Sequence, residues 1–112
     1  MCLFCKIIDG EIPNKTVHEN EEFLCFHDIN PAAKIHVLII PKKHYDSFDV
    51  IKPELMANMT KFIHEVADKL GVRENGYRLI TNIKEHGGQE VNHLHMHLLA
   101  GEYVGRLVGA KK

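Results

Sequence analysis

Val91-Asn92-His93-Leu94-His95-Met96-His97-Leu98-Leu99 alternates imidazoles with apolar side chains from His93 to Leu98. Alternation with a period of two is the signature of a strand, so the spacing predicts one over about 91–99. His93, His95 and His97 then share one face, and Leu94, Met96 and Leu98 share the other. The apolar face anchors the strand. Same-face positions lie about 6.5–7 Å apart along a strand, so the three imidazoles form a row able to surround one small group rather than grip a single atom.

Ile35 to Ile40 is apolar at nearly every position, the pattern of a central strand covered on both faces, and Pro41 ends it. From Pro53 onward Leu55, Met56, Met59, Phe62, Ile63, Val66 and Leu70 recur at helical spacing, with Pro53 suited to the first turn and Gly71 to the stop. Leu3 to Ile8, closed by Asp9-Gly10, reads as one or two helical turns. Val17 to Glu19 and Phe23 to His27 flank a polar turn as a hairpin, Asn30-Pro31 stops its second strand, and Tyr77 to Thr81 supplies another strand. One long helix, a short N-terminal helix and five strands joined mostly by short turns give an α+β class with a mainly antiparallel sheet.

With 112 residues, 45% of them hydrophobic and 26% charged, and no repeat or linker, the chain reads as one domain over 1–112. Fourteen basic against fifteen acidic residues leave a net charge of -1, and no basic block exceeds the pairs Lys42-Lys43 and Lys111-Lys112. Bulk charge therefore argues against nucleic acid or a membrane surface as partner. The longest apolar run, Val37 to Ile40, is too short to span a bilayer and the N-terminus lacks a signal-peptide pattern, so the expected location is cytoplasmic. Cys2, Cys5 and Cys25 form an odd set with one C-x-x-C pair, which favours a metal site or plain thiols over disulfides.

Aligned histidines are costly in a strand unless something satisfies their nitrogens. Two chemistries meet that need. Neutral imidazoles hold zinc. Alternatively, one imidazole attacks an electrophile while its neighbours fix its tautomer and stabilise charge. Asn82 to Gln89 is a polar loop containing Gly87-Gly88, which would present successive backbone N–H groups as an anion nest and so favours a phosphoryl group.

His93-Leu94-His95-Met96-His97-Leu98-Leu99 resembles the His-x-His-x-His-x-x signature of the histidine triad (HIT) family. The resemblance runs from Phe4-Cys5-Lys6-Ile7-Ile8 through Phe26-His27-Asp28-Ile29-Asn30-Pro31 and Ile39-Ile40-Pro41-Lys42-Lys43-His44 to Gly87-Gly88-Gln89-Glu90-Val91, nearly the whole chain. With Leu99-Ala100-Gly101 it is similar to the HINT branch, especially its bacterial members, which hydrolyse purine nucleoside phosphoramidates.

The resemblance implies a HIT-like homodimer with joined sheets and a purine nucleotide substrate, and a two-step reaction through a nucleotidyl-histidine on His95 that needs no cofactor for its chemistry. By the same matching His97 contacts the phosphate, and His93 and His36 orient the nucleophile and relay protons. Asp28 and Ile29 hold ribose and base, and Asn82, Gly88, Gln89, Glu90 and Val91 form the phosphate-side loop. Glu90 stands where animal members carry a serine, so a backbone contact is expected there rather than a side-chain one. His44 and His93 would complete a structural zinc site with Cys2 and Cys5, as in some bacterial relatives. The alternatives are a dinucleoside polyphosphate hydrolase of the sister branch, a nucleotide-binding regulatory protein with residual catalysis, and a hydrolase using the triad as zinc ligands. The tail from about 102 to 112 departs from the family and lacks its tryptophan.

Overall fold

In a computed structural model, which describes residues 1–108, five strands form one antiparallel sheet in the order β1-β2-β3-β5-β4. The elements are α1 (Leu3–Ile8), β1 (Thr16–Glu19), β2 (Phe23–His27), β3 (Ile35–Pro41), α2 (Pro53–Leu70), β4 (Arg78–Ile80) and β5 (Met96–Ala100). The expected class, the long helix and the short N-terminal one are all present. Residues 109–112 of the expected tail lie outside the described residues.

The period of two in β2 and β3 sorts their side chains to two covered faces. Phe23, Cys25, Val37 and Ile39 join Met96, Leu98 and Ala100 on the face packed by α2, through its Leu55, Met59, Phe62, Ile63 and Val66. Leu24, Phe26, Leu38 and Ile40 face the other way, where Phe4 and Ile7 of α1 cover them. Each fully buried Phe or Met contributes about 1.5–3 kcal/mol relative to exposure, so the α2 face carries most of the stabilisation. Cys25 lies in that apolar layer, where burial pushes its thiol up to about 12 against a weak pull from Lys69. It is an inert core residue.

Helix α2 begins with Pro53 and stops at Gly71, which takes the left-handed conformation (φ 69°) and donates its N–H to carbonyls of the last turn. Strand β5 departs from expectation, beginning at Met96 rather than near Val91. Proline explains the late start. The last ladder pair is Ile39 with Met96, and Pro41, which would oppose Leu94 two steps on, has no N–H to offer. Instead the Leu94 N–H donates to the Tyr45 carbonyl at 2.7 Å, and the His95 carbonyl accepts from the Thr81 hydroxyl at 2.9 Å. The alternation of faces survives, because Leu94 is in the α2 core while His93 and His95 lie against Phe4.

Candidate active site

The row of three imidazoles divides into two neighbouring groups. His95 and His97 stay together with ring centroids 5.0 Å apart, and His36 on the adjacent β3 joins them with its ring 5.2 Å from that of His97. His36 and His97 sit on diagonal positions of antiparallel neighbours, since His36 opposes Leu99 and His97 opposes Leu38. That geometry brings long side chains on one face within reach of each other. His93 turns away toward Cys2, Cys5 and His44.

The hydrogen bonds assign the ring protons. His95 Nδ1 is 2.7 Å from the His93 carbonyl, which can only accept, so Nδ1 carries the proton and Nε2 carries a free lone pair. The Ala32 N–H donates to His36 Nδ1 at 2.9 Å, leaving the His36 proton on Nε2. That Nε2 lies 2.9 Å from His97 Nδ1, so His97 accepts there and exposes an N–H at its own Nε2. Asp28 Oδ2 is 3.4 Å from the same His36 nitrogen, and Asp28 Oδ1 accepts from the Asn30 N–H at 2.8 Å. The buried ring edge of His95 is backed by Phe4, at a centroid distance of 5.0 Å. Asp28, His36 and His97 also cluster as three donors. A metal ion there would need the His36 Nε2 lone pair, which the Ala32 bond denies it.

Burial is the main influence on the His36 and His97 rings. It pushes His97 down to about 4, with His95 and His36 adding repulsion and Asp28 opposing them. It lowers His36 as well, again against Asp28. A folded value below the ordinary 6.5 means the unfolded chain takes up more protons in acid. The His97 environment therefore contributes stability that is complete above about pH 6.5 and lost as pH falls through 6.5 toward 4. Urea midpoints of the wild-type chain should fall relative to those of His97→Gln over that window. Parallel curves would contradict the assignment.

Asn82, Gly88, Gln89, Glu90 and Val91 lie together in the loop before β5, but their groups do different things. Gln89 is spent internally, with Nε2 donating to the Asp46 and Val91 carbonyls and Oε1 accepting from the Lys84 N–H. The N–H groups of Gly88 and Gln89 close turns on the Glu85 and Lys84 carbonyls, so the nest expected at the glycine pair is turned inward. Among the described residues no backbone acceptor faces the N–H of Glu90 or Val91, which moves the free donors two residues along. Asn82 Nδ2 donates to the Gly87 carbonyl at 2.6 Å. A Cβ at Gly87 would meet the Ile83 carbonyl oxygen at 2.4 Å, so only glycine lets the loop fold this tightly. Ile29 is 91% exposed beside Asp28, available to a flat apolar ligand group.

Cys2, Cys5, His44 and His93 converge so that one donor atom from each lies within 4.8 Å of the others. The sulfur-to-Nδ1 distances are 3.4–3.6 Å and the sulfurs are 3.1 Å apart. Tetrahedral zinc, at about 2.3 Å from sulfur and about 2.0 Å from nitrogen, sets such donors about 3.5 Å apart. The outer nitrogens fit too. His93 Nε2–H donates to the Pro41 carbonyl at 2.8 Å and His44 Nε2 faces the Asp46 carboxylate at 3.0 Å, so both Nδ1 lone pairs point inward. Residues present and donor chemistry thus suit a zinc ion.

A family model described as the HIT domain matches residues 9–104. The chain belongs to the HIT family. A HIT-like protein of Helicobacter pylori is 57% identical over 102 residues, covering 91% of this chain and 98% of that protein. A protein of Escherichia coli named purine nucleoside phosphoramidase is 39% identical, covering 97% of this chain and 94% of its own length. A solved HIT family hydrolase from Clostridium thermocellum superposes with a TM-score of 0.89 at 44% identity, covering 96% of each chain. The histidines that define this HIT chain were legible in its sequence. His93, expected to orient His95, does so through its backbone carbonyl, whereas His36 bonds His97 rather than the His95 ring; the Pro41 carbonyl and the Ala32 N–H are backbone atoms brought in by the fold. Asp46, two residues after His44, is the one missed partner that local spacing signals.

Proposed function

We propose that this HIT protein is a nucleotide hydrolase that cleaves the P–N bond of purine nucleoside 5'-phosphoramidates through a covalent nucleotidyl-histidine on His95. The observation that carries this reading is the 2.7 Å bond from His95 Nδ1 to the His93 carbonyl, which in the neutral ring places the lone pair on Nε2, on a side chain only 6% exposed. A neutral, oriented imidazole is a competent nucleophile without further activation. The name of the Escherichia coli relative supports the substrate class.

In this mechanism Asp28 and Ile29 receive ribose and base, a carboxylate being an acceptor for sugar hydroxyls. The free N–H groups of Glu90 and Val91 take phosphoryl oxygens, in the manner of an oxyanion site, and Asn82, Gly88 and Gln89 hold the loop that presents them. His95 Nε2 attacks phosphorus, the P–N bond breaks with its electron pair going to nitrogen, and the amine leaves with a proton taken up from solvent while His97 Nε2–H donates a hydrogen bond at the reacting group. His36 supports His97 from behind. Water then displaces the histidine.

The metal group belongs to the same reading. Zinc held by Cys2, Cys5, His44 and His93 would clamp α1 against the segment leading into β5 and the loop after β3 as a structural ion. His93 serves both groups, its ring toward the thiols and its carbonyl orienting His95, while no protein ligand of the clamp reaches the reacting atoms. A homodimer is also part of the proposal, built on one domain over 1–112. β4 ends the sheet with a free edge, Leu79 on it is 42% exposed, and a depression of about 590 Å³ beside it is lined by Leu70, Tyr77, Arg78 and Tyr103 without any histidine.

Relative turnover tests the substrate class. The chain should hydrolyse N-alkyl adenosine 5'-phosphoramidates with a higher kcat/KM than diadenosine polyphosphates. The reverse order would assign it to the dinucleotide reaction, and tight AMP binding with turnover of neither would make it a binding protein.

A further inference from the structure

His95 is held by two hydrogen bonds of different kinds. Its ring is fixed by Nδ1 against the His93 carbonyl, and its peptide is fixed by the Thr81 hydroxyl, which donates to the His95 carbonyl at 2.9 Å. The first bond sets how the ring is turned. The second sets where the ring starts from, because the Cα–Cβ bond is carried by the backbone that Thr81 holds.

The sheet gives that stretch of backbone little other support. On one side the β3–β5 ladder ends at Ile39 with Met96, since Pro41 has no N–H to offer. On the other, β4 pairs Arg78 with Leu99, Leu79 with Leu98 and Ile80 with His97, and stops. The same register would set Asn82 opposite His95, but the strand ends at Ile80 and the chain leaves the sheet. The hydroxyl of half-buried Thr81, the next residue, therefore satisfies the carbonyl of His95 where the ladder no longer reaches.

The neighbour of Thr81 serves the other reacting partner. Asn82 Nδ2 donates to the Gly87 carbonyl at 2.6 Å and so holds the loop that carries the free N–H groups of Glu90 and Val91. Two consecutive residues thus hold the nucleophile and the anion-binding loop, with one planar peptide between them.

We propose that Thr81 is a positioning residue for the nucleophile, its hydroxyl fixing the His95 backbone and with it the direction from which Nε2 approaches a phosphorus atom seated on the loop beyond Asn82. The inference rests on His95 being the nucleophile of the proposed P–N cleavage. Reaction rate depends steeply on such placement, because a reacting atom held slightly out of line loses much of the advantage of being bound beside its target. Binding does not share that dependence. The Thr81 hydroxyl is spent on the His95 carbonyl, so neither Asp28 nor the loop donors lose a nucleotide contact when it is removed.

Two substitutions isolate the bond. Thr81→Ser and Thr81→Ala delete the same methyl group, and only serine keeps the hydroxyl. The rate to compare is formation of the adenylyl-histidine in a single turnover at saturating N-alkyl adenosine 5'-phosphoramidate, followed by quenched intact mass and divided by the number of AMP-binding sites in each preparation. Counting sites by AMP makes the rate independent of the fraction folded. Thr81→Ala should be at least about tenfold slower than Thr81→Ser, while the AMP dissociation constants of both stay within about twofold of the wild-type value. Equal rates in the two variants would overturn the inference. So would a rate in Thr81→Ala that falls only in step with weakened AMP binding, the mark of a loosened loop rather than a misdirected nucleophile. A wild-type chain that forms no adduct on His95 would sink the functional reading itself, whereas an adduct that forms equally fast in both variants would sink this inference alone.

Discussion

Replacing His95 by alanine should lower kcat/KM for an adenosine phosphoramidate by at least ~10⁴-fold, the scale on which enzymes lose activity when a covalent nucleophile is removed. The fold should survive. His95 sits where β5 has not yet begun, its ring makes one hydrogen bond, to a carbonyl two residues away, and its backbone carbonyl keeps the Thr81 hydroxyl whatever side chain is present. Alanine leaves a space beside Phe4, so some loss of stability accompanies the loss of activity, but AMP binding should persist through the loop donors and Asp28. Near-normal turnover in His95→Ala, measured by release of AMP, would remove the histidine from the chemistry.

The second large effect concerns the thiol-histidine group. A zinc ion at a free concentration 1,000-fold above its dissociation constant stabilises the folded chain by about 4 kcal/mol. A strong chelator should therefore lower Tm by roughly 15–25 °C for a chain of this size. In Cys5→Ser the chelator should have little left to remove. Below the lowered Tm, the chelated protein should retain turnover, because the clamp acts on His93 and not on the reacting phosphorus. An unchanged Tm with chelator would mean that Cys2 and Cys5 are plain thiols. Abolished turnover with an intact fold would instead place the metal in the chemistry.

Much of this architecture can be read without coordinates, and the reasons are local. The α2 helix needs only the spacing of Leu55, Met59, Phe62 and Val66 between Pro53 and Gly71, and its observed ends are those residues. The double-sided burial of β3 follows from an apolar run too short for a helix and closed by a proline. The start of β5 could not be read the same way. Alternation continues through His93, Leu94 and His95, yet Pro41 across the ladder cannot pair, and long-range partners at Tyr45 and Thr81 take over.

The same limit applies to the candidate site. The three imidazoles are visible as a pattern, but spacing alone does not divide them; the family resemblance supplied His36 and the Cys2, Cys5, His44 and His93 group, and the placement of β3 and α1 is what brings those residues together. The glycine pair signals a tight loop correctly. Which N–H groups stay free depends on the turns closed by Glu85 and Lys84, and those put the open donors at Glu90 and Val91.

The most direct test of the central claim is the intact mass of the wild-type chain, quenched in acid-free denaturant during turnover of an adenosine phosphoramidate, with the modified peptide then sequenced. The account predicts an added adenylyl group on His95 that disappears as substrate is exhausted and never forms in His95→Ala. Turnover at full rate with no adduct on any histidine, under conditions where the first step outpaces the second, would contradict it.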